Sequence, residues 1–438
     1  MKIEKKALVN ALKKAQKFTG KALPILANVL IDGENQVIVA TDLTTRFETP
    51  VKIKDYEQTV EAPEAIGVDD LRDQVKDLQK DQLVTLAEYA QVSKSGKKSD
   101  IIARLLTAAE EASASETAMT EDLTFKESFC ANPTKLRKIV ESLELDGSDM
   151  VTLLPEVSAE INRGLFEAEV KATRLSVGDH FKSLEIVPAD EFPEWFDVQD
   201  PKPLAKIAGK DLMFMVNVCA SIKEADHRPH TECLWFDGVH NMIVSTDGNR
   251  MHALQADVGA DKGIPIDFRA MRGMGQLAGK EEVEISFNSD VNFAVMKYDG
   301  DTVSVRVDGD TSFPDYKAIL DGDGDGGQVV EIEKAKFNNL LKQAILVTNL
   351  DYKAVTFTFN GGLDAFVENP DEGAYHRESL ELVGDVDPEI TVNLNPRFIM
   401  DAMKATTEDT VNIRLDGEEK PVHVLSGDFR ALIMPMRT

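Results

Sequence analysis

A turn made of an aromatic residue, proline, an acid and a second aromatic residue occurs twice in this chain. It reads FPEW at Phe192–Trp195 and opens FPDYKAIL at Phe313–Leu320. Each copy directly follows a segment whose composition predicts a β-strand. Because proline fixes φ for a turn and cannot extend a central strand, each copy marks the end of an element. Two copies in the same context predict a repeated domain.

A second pair of similar segments also indicates duplication. The runs VATDLTTRFETPV (Val39–Val51) and VSTDGNRMHALQADV (Val244–Val258) each place a Thr-Asp pair after a β-rich segment, with an arginine soon afterwards. A third, weaker copy begins near Lys334, where a basic helix precedes the β-rich run AVTFTFNGGLDAFVENP. The repeats predict three copies of one domain, each with two helices and about eight strands.

The first copy is longer than the second. The interval from its Thr-Asp pair to its FP turn exceeds the matching interval by about 84 residues, most of them within 62–125. That segment has helical periodicity and ends in an Ala-, Ser- and Glu-rich tether. We therefore expect an α+β fold of three repeated domains with antiparallel sheets and a small all-α insertion in domain one. The predicted boundaries are 1–61 with 126–203 for domain one, 62–125 for the insertion, 204–327 for domain two and 328–438 for domain three.

The composition predicts a protein of the reducing cytoplasm. Its 438 residues fit about three domains, and 42% of them are hydrophobic, enough for several cores. Three cysteines are too few for a disulfide framework. No apolar run approaches the roughly 18 residues that a transmembrane helix needs. The lysine-rich N-terminus lacks the apolar core of a signal peptide, so we expect no membrane association.

Positive charge is concentrated in six predicted helices, although the net charge of the chain is −28. Cationic helices on an anionic body indicate one cationic surface that faces a polyanion, with double-stranded DNA as the expected partner. For any single helix the alternative is an ordinary solvated face. The six segments are Glu4–Phe18, Asn132–Ser142, Lys210–Lys223, Arg269–Lys280, Glu333–Gln343 and Pro396–Lys404. The predicted DNA-facing residues on or beside them are Lys6, Lys13, Lys17, Lys21, Lys135, Arg137, Lys138, Arg269, Arg272, Lys336, Lys342, Arg397 and Lys404.

Taken together, the motifs resemble a known family, the bacterial sliding clamp that is the β subunit of DNA polymerase III. LPILANVLI with ATDL, VPADEFPEW, STDGNRM, FPDYKAIL, the ENP of FVENP and MPMRT follow the family's order and approximate spacing. The resemblance implies a head-to-tail homodimer whose six domains close a ring around DNA. It also implies an accessory subunit with no catalytic residue, no cofactor and no metal, and it adds Arg228 and His230 to the DNA-facing residues.

The resemblance further implies a hydrophobic groove between domains two and three. This groove receives short peptide motifs from the replicative polymerase, the clamp loader and other partners. Adaptable Met and aliphatic side chains suit such a surface. Packing within a core is the alternative for these residues. Carried over residue by residue, the predicted groove consists of Thr246, Gly248, Arg250, Met251, Pro314, Ile319, Asn395, Phe398, Leu432, Met434, Pro435, Met436 and Arg437.

Three positions depart from the family pattern. Asn249 and Ala318 replace larger or basic groups, and Thr438 stands where a larger aliphatic residue is usual. These departures predict an altered peptide preference for the groove.

The resemblance also predicts the subunit interface. Ile345 and Leu346 match the apolar interface pair of domain three, and Phe181 and Leu184 stand where domain one would receive them. An exposed Ile-Leu pair normally has a partner. A buried helix end is the alternative.

The insertion contains a segment, Lys80–Leu106, that resembles a SAP-like helix–turn–helix module. Its second helix would present Ile101, Ile102 and Leu105, with Ser99 or Asp100 as the N-cap. Phosphate contacts are expected from Lys94, Lys97, Lys98 and Arg104. A small helical decoration that binds protein or nothing is the alternative.

Several other signals are weak. DGDGDGG (Asp321–Gly327) lacks the glutamate that an EF-hand requires at position 12 and is better explained as a linker. GMGQLAGKE lacks the spacing of a P-loop, and no nucleophile–base set is evident. A zinc site at His227, His230, Cys233 and His240 is disfavoured because this run leads straight into a predicted strand. The sequence thus predicts a DNA sliding clamp, with a non-encircling DNA-binding scaffold as the alternative.

Overall fold

The computed structural model describes two compact units, Met1–Trp195 and Phe196–Thr438. The residues that it describes are 1–55, 57–60, 93, 95, 97–114, 123–126, 128–143, 149–162, 167–178, 181–195, 197–219, 228–321, 327–348, 353–384 and 386–437. Most of the predicted insertion, including its expected first helix, lies outside these residues, as do 322–326 of the acidic linker.

The described residues form eight α-helices, and all six predicted basic helices are among them. Short 3₁₀ turns at Gln16–Phe18 and Met403–Ala405 extend the first and the last helix. The helices are α1 (Lys5–Ala15), α2 (Lys98–Ala114), α3 (Pro133–Ser142), α4 (Gly209–Cys219), α5 (Phe268–Ala278), α6 (Lys317–Asp321), α7 (Lys334–Val347) and α8 (Pro396–Ala402).

The first unit contains two five-stranded antiparallel sheets and a separate hairpin. The sheets have the orders β12-β8-β2-β3-β4 and β11-β10-β9-β1-β5, and the hairpin is β6-β7. The strands are β1 (Lys2–Glu4), β2 (Val29–Asp32), β3 (Val37–Thr41), β4 (Thr45–Pro50), β5 (Ile53–Lys54), β6 (Glu57–Val60), β7 (Leu123–Lys126), β8 (Ser128–Ala131), β9 (Met150–Asn162), β10 (Glu167–Val177), β11 (Phe181–Glu185) and β12 (Val187–Pro188).

The second unit is organised around an eight-stranded antiparallel sheet, β17-β14-β15-β16-β28-β27-β26-β21. Two four-stranded arrays, β24-β23-β22-β25 and β20-β19-β18-β13, accompany it. Pairing of β16 with β28 joins predicted domains two and three within one sheet. The strands are β13 (Lys202–Ala208), β14 (Cys233–Asp237), β15 (Met242–Thr246), β16 (Arg250–Gln255), β17 (Gly263–Asp267), β18 (Glu282–Asn288), β19 (Phe293–Tyr298), β20 (Asp301–Arg306), β21 (Gln328–Glu333), β22 (Val355–Phe359), β23 (Leu363–Asn369), β24 (Ala374–Leu380), β25 (Ile390–Leu394), β26 (Thr410–Leu415), β27 (Val422–Ser426) and β28 (Phe429–Ile433).

Three helix pairs, α1 with α3, α4 with α5 and α7 with α8, repeat the same local design. In each pair, the first residue of the first helix donates its backbone N–H to a carbonyl just before the strand that follows the second helix. The bonds are Lys5 to Asp149 (2.8 Å), Gly209 to Glu281 (2.9 Å) and Lys334 to Asp409 (2.8 Å). These equivalent contacts, with the antiparallel sheets, confirm the predicted α+β fold with an internal repeat.

The second helix of each pair begins in the same way. Asn132, Asp267 and Asn395 are N-caps, and their side-chain oxygens accept the backbone N–H of Lys135, Arg269 and Arg397 at 2.7–3.0 Å. Such caps satisfy N–H groups that the first helical turn leaves without an internal partner. Pro133 and Pro396 occupy the first helical position, where the missing N–H costs nothing.

The first residue of the first helix is held differently in the three pairs. The Lys5 ammonium donates to the Leu143 carbonyl at 2.6 Å, and the Lys334 ammonium donates to the Thr406 carbonyl. The middle pair instead has Gly209, where a Cβ would lie 2.8 Å from the Gly275 carbonyl oxygen. Glycine therefore allows α4 and α5 to approach each other closely. In the other two pairs, a lysine at the same position instead bridges to the end of the second helix.

The predicted apolar face of the first helix is confirmed. Leu8, Ala11, Leu12 and Ala15 are buried, and α1 extends into Phe18, whose ring stacks on Phe47 with 4.5 Å between centroids. Burial of this face holds the basic positions Lys6 and Lys13 on the exposed side of the helix.

The second helix of the insertion is present as α2, with Ile101 and Leu105 buried. The predicted N-cap is wrong, because the helix begins at Lys98 and Asp100 lies inside its first turn. The Asp100 carboxylate reaches back and accepts the backbone N–H of Lys97 at 2.9 Å, as the acidic member of a capping box does. No helix within the described ranges is long and apolar enough to cross a membrane.

Candidate functional site

The candidate groove is built on an apolar cluster in the second unit. Strands β15, β16 and β28 supply the buried Met242, Val244, Met251, Ala253 and Leu432, and the FPDYKAIL segment supplies Tyr316 and Leu320. Trp235 and Phe313 are partly buried against the cluster. Predicted groove residues Met251 and Leu432 are directly paired across β16 and β28. The floor of the candidate site is thus a continuous apolar surface.

Aromatic contacts and one buried hydrogen bond hold the FPDYKAIL turn against this floor. Phe313 stacks on Trp235 with 5.4 Å between ring centroids. The Tyr316 hydroxyl donates to Asp237 Oδ2 at 2.7 Å. Burial, together with this bond to a carboxylate, raises the pKa of Tyr316 well above its usual range. The turn is therefore anchored to β14, 79 positions earlier in the chain.

Asp237 is also bonded by the turn that follows β14. Its Oδ1 accepts the backbone N–H groups of Val239 and His240, and its Oδ2 lies 2.8 Å from His240 Nδ1. Burial alone would raise the pKa of this carboxyl, but the hydrogen bonds from Tyr316 and His240 outweigh burial and lower it. Asp237 stays ionised and keeps the aromatic anchor in place.

The TDGNRM segment forms a tight turn organised by Asp247. Asp247 Oδ1 accepts the backbone N–H groups of Asn249 (2.9 Å) and Arg250 (3.0 Å). Thr246 Oγ1 donates to the Arg250 carbonyl at 2.8 Å. Gly248 has φ +87°, and a Cβ there would lie 2.5 Å from the Arg228 guanidinium. Both the backbone conformation and the close arginine therefore require glycine.

Arg250, which was predicted to line the groove, lies inside the protein rather than on the open surface of the groove. It is 3% exposed and its Nε lies 3.0 Å from Asp247 Oδ2. Its Nη1 lies 2.7 Å from Asp401 Oδ2 on α8, and its guanidinium lies 4.5 Å from the centroid of the Phe398 ring. Arg250 therefore joins β16 to α8, which belong to predicted domains two and three.

The segment after β28 is tied across the same region. The Met434 N–H donates to the Asn249 carbonyl at 2.9 Å, and the Met436 N–H donates to the Asn393 carbonyl at 2.8 Å. Met434 is 42% exposed and Ile319 on α6 is 46% exposed, while Pro314 is also exposed. These apolar side chains are available to a partner above the buried floor.

The other predicted groove residues have a range of environments. Asn395 is buried as the N-cap of α8, and Phe398 is half-buried beneath Arg250. Pro435 and Met436 are half-buried, and Arg437 is exposed. Sequence reasoning missed Tyr316, Asp237, Asp247 and Asp401. Tyr316 and Asp247 lie inside motifs that were recognised. Asp237 and Asp401 have no sequence signal, because Tyr316 and Arg250, to which they bond, are distant in the chain.

Many predicted DNA-facing cations are paired with carboxylates. Lys13 and Arg137 share Glu141 at 3.1 and 3.5 Å, and Lys336 lies 2.6 Å from Glu333. The remaining pairs are Arg269 with Asp267 (2.9 Å) and with Glu232 (3.1 Å), and Lys404 with Asp401 (2.6 Å). Exposed pairs of this kind are weak and exchange with solvent ions, so the cations can still meet phosphates.

The other predicted cations have several kinds of environment. Lys6, Lys21, Lys135, Lys138, Lys342 and Arg397 are exposed and make no ion pair with another residue in the described part of the chain. Arg272 lies with its guanidinium 5.6 Å from the Phe268 ring centroid. Burial lowers the pKa of Lys17. Arg228 donates to the Asp247 carbonyl at 3.2 Å, and the His230 ring meets Phe313 edge-on at 6.2 Å.

The predicted interface residues differ in exposure. Leu346 on α7 is 81% exposed, whereas Ile345 is half-buried. Leu184 is buried in β11, where it pairs with Leu175 of β10. Phe181 begins the same strand, and its side chain lies outside the described parts of the structure.

In the insertion, the predicted phosphate contacts are only partly described. Lys94 lies outside the described residues, and Lys97 and Lys98 are exposed. The Arg104 side chain turns back to the chain, donating to the Asp100 carbonyl at 3.0 Å and to the Ser95 carbonyl. Arg104 is thus already engaged in holding the start of α2.

Comparison with known proteins gives a consistent result, although no family model matches the chain. The sequence is 22% identical over 313 residues to the "Beta sliding clamp" of Lactococcus lactis, covering 66% of this chain and 78% of the relative. It is also 22% identical over 327 residues to the "Beta sliding clamp" of Vibrio cholerae, covering 68% of this chain and 86% of the relative.

A solved structure extends the similarity to the whole chain. The sliding clamp (DNA polymerase III subunit beta) from Pseudomonas aeruginosa bound to griselimycin has a TM-score of 0.68 and 17% identity. The alignment covers 100% of this chain and 99% of that one. The resemblance to the bacterial DNA polymerase III β-subunit family that the motifs predicted is therefore confirmed, and this chain has the fold of a sliding clamp.

Proposed function

We propose that this protein is a DNA sliding clamp, a non-catalytic processivity factor that encircles duplex DNA and tethers the replicative polymerase. The observation that carries the proposal is the threefold repeat of a helix pair with basic residues, in a chain similar along its whole length to sliding clamps. A closed ring cannot leave DNA sideways. It therefore raises the processivity of a polymerase without performing a reaction itself.

The pairing of cations with carboxylates supports a sliding mode of contact. Lys13, Arg137, Lys336 and Lys404 each lie within 4 Å of an acid that competes with phosphate. Contacts to the DNA backbone are then weak, sequence-independent and easily exchanged. A ring that depends on topology for retention needs contacts of this kind, because tight binding would stop it from sliding.

Ring closure would occur between β11 of one chain and the β24–α7 region of another. Among the described strands, β11 and β24 each stand at the edge of a sheet, so each leaves backbone groups open to a further strand. Leu346 is highly exposed on α7, which packs against β24. An exposed leucine beside an open strand edge supports a homodimer in which the two edges meet.

The candidate groove would bind short peptide segments of the polymerase, the clamp loader and other partners in the cytoplasm. Its buried Met251–Leu432 floor and exposed Ile319 and Met434 can repack around different apolar side chains. The related clamp from Pseudomonas aeruginosa binds griselimycin. The three-domain boundaries and a peripheral SAP-like module, which we also propose, complete the expected architecture.

Ring formation is tested by the mass of the particle in solution. Light scattering should give twice the chain mass for the native protein. The Leu346→Glu variant should give the mass of one chain, because a carboxylate would be buried in the interface. Val239→Glu, at another exposed apolar position in the same unit, should remain dimeric. A native protein that is monomeric at all concentrations would contradict the ring.

A further inference from the structure

A cavity lies at the opposite end of the β16–β28 pair from the candidate groove. Arg250 pairs with Ile433 at the groove end, and Leu254 pairs with Phe429 four residues further along. At ~3.3 Å per residue, the two ends are about 13 Å apart. The cavity at the Leu254–Phe429 end has a volume of about 400 Å³. We call it the α4–β28 cavity, after the helix and strand that line it.

Carboxylates from three separate segments line this cavity. Asp211 comes from the first turn of α4, Glu408 from the loop before β26, and Asp428 from the turn before β28. None of the three makes an ion pair with a residue in the described ranges, and Lys210 is the one basic residue among those lining the cavity. The adjoining cleft of about 750 Å³ shares Asp211 and Asp428.

The adjoining cleft adds to the negative charge. It is also lined by Asp257, Glu282 and Glu284, of which Glu284 is neutralised by Lys206 at 2.6 Å. Together the two spaces form an acidic entrance. A cation entering this space would meet several carboxylates that it could pair with.

The lining of the cavity combines two aromatic rings with polar side chains, one of which is a buried hydroxyl group. Phe214 and Phe429 meet edge-on with 4.4 Å between centroids, and Phe214 stacks on the buried His252. Thr406 also lines the cavity, is 4% exposed, and its Oγ1 has no hydrogen-bond partner among the described residues. Buried hydroxyls are normally hydrogen-bonded, so a ligand in the cavity would satisfy this one.

An acid at a helix N-terminus is common without any ligand, because it interacts well with the helix dipole. That explanation covers Asp211 alone. It does not account for Glu408 and Asp428, which converge from other segments, or for the buried hydroxyl of Thr406. Burial raises the pKa of Asp211 and outweighs the opposing effect of the neighbouring Lys210 ammonium.

We propose that the α4–β28 cavity is a second binding site, for a cation carried on an aliphatic stem. The stem would pack against Phe214 and Phe429, and the ammonium or guanidinium would pair with Asp211 and Glu408. A lysine or arginine side chain of a peptide has this chemistry, and so does a free polyamine. The site is separate from the candidate groove and does not depend on the proposed clamp function.

The test is calorimetric titration of the full-length protein with acetyl-Ala-Arg-Ala-amide and with the same peptide containing citrulline. Citrulline keeps the shape of arginine but has no charge. The arginine peptide should bind about tenfold more tightly. Spermidine, titrated separately, identifies a polyamine as the source of the cation if it binds more tightly than the arginine peptide.

Variants locate the binding. Asp211→Asn, Glu408→Gln and Thr406→Val should each weaken the arginine peptide, the first by about tenfold. Asp290→Asn makes the same charge change at an exposed acid outside the cavity and should change affinity by less than about twofold. Equal affinity for arginine and citrulline peptides would overturn the proposal. The proposal would also be overturned if Asp290→Asn and Glu408→Gln changed the affinity for the arginine peptide equally. Glu408 is exposed, so its substitution leaves folding intact.

Discussion

At the scale of single residues, the candidate groove depends on two networks around buried charged groups that join distant parts of the second unit. Arg250 connects Asp247 and Asp401, and Asp237 connects Tyr316 and His240. Burying charge is costly unless the charge is paired. These contacts therefore make the geometry of the surface above them sensitive to single substitutions.

Replacing Arg250 by methionine should destabilise the second unit strongly. The change leaves Asp247 and Asp401 without their buried partner, which costs about 3 kcal/mol. Lys404→Met is the matched control, because Lys404 pairs with the same Asp401 from an exposed position and should cost less than about 1 kcal/mol. Urea unfolding of both variants measures the free energies. Equal losses of unfolding free energy in the two variants would show that burial of the Arg250 ion pairs does not determine their contribution to stability.

Replacing Tyr316 by phenylalanine removes only the hydroxyl that donates to Asp237. A hydrogen bond to a charged group contributes roughly 1.5–3 kcal/mol. Because the pKa of Asp237 is lowered in the folded protein, this stability is present above the unfolded pKa of about 3.9 and is lost as the pH falls through the folded value. The difference in free energy of unfolding between Tyr316→Phe and the wild type should therefore be present at neutral pH and become smaller in acid.

The control for this prediction is Tyr298→Phe, at a half-buried tyrosine of β19 in the same unit. It should change the free energy of unfolding by less than about 0.5 kcal/mol at any pH. Urea unfolding at a series of pH values gives both curves. A Tyr316→Phe difference that is independent of pH would argue against an ionised Asp237 as the partner.

At the scale of elements, the sequence predicted the helices better than their electrostatic partners. The 3.6-residue spacing of Leu8, Leu12 and Ala15 defined the buried face of α1, since that signal is local. The pairing of Lys13 with Glu141 could not be predicted, because α1 and α3 are brought together by packing of residues far apart in sequence.

In the candidate groove, too, local features could be predicted from the sequence and contacts between distant residues could not. Its motifs were recognised, but the burial of Arg250 was not, because the acid on α8 that pairs with it lies 151 positions away. The N-cap of α2 was misjudged by two or three residues. Aspartate is common both at the N-cap and at the third position of a helix, so the local sequence does not show which of the two positions Asp100 occupies.

Exposed side chains at the rim of the groove should determine ligand affinity without affecting stability. Ile319→Ala and Met434→Ala should each weaken griselimycin binding by about tenfold, because apolar contact area is lost. Val239→Ala, at an exposed apolar residue on the β14–β15 turn, should leave affinity unchanged. Calorimetric titration with griselimycin makes the comparison. Full affinity in both rim variants would place the ligand elsewhere.

At the scale of the whole molecule, the insertion should be separable from ring formation. Val60 of β6 is paired directly with Leu123 of β7, so a two-residue turn can close this hairpin. Replacing 61–122 by Asn-Gly should therefore leave a dimer of the shortened chain. Light scattering gives its mass. A monomeric product would mean that the insertion takes part in the subunit interface.

The central claim is that the protein encircles DNA, and trapping by ligation tests it most directly. The protein is mixed in low salt with linear DNA bearing cohesive ends, the ends are ligated, and the complex is washed in high salt. High salt screens phosphate contacts but cannot open a closed circle threaded through a ring. We predict retention on ligated circles, loss from unligated DNA, and release when a restriction enzyme cuts the circle. Equal loss from ligated and unligated DNA would contradict encirclement and favour ordinary electrostatic binding.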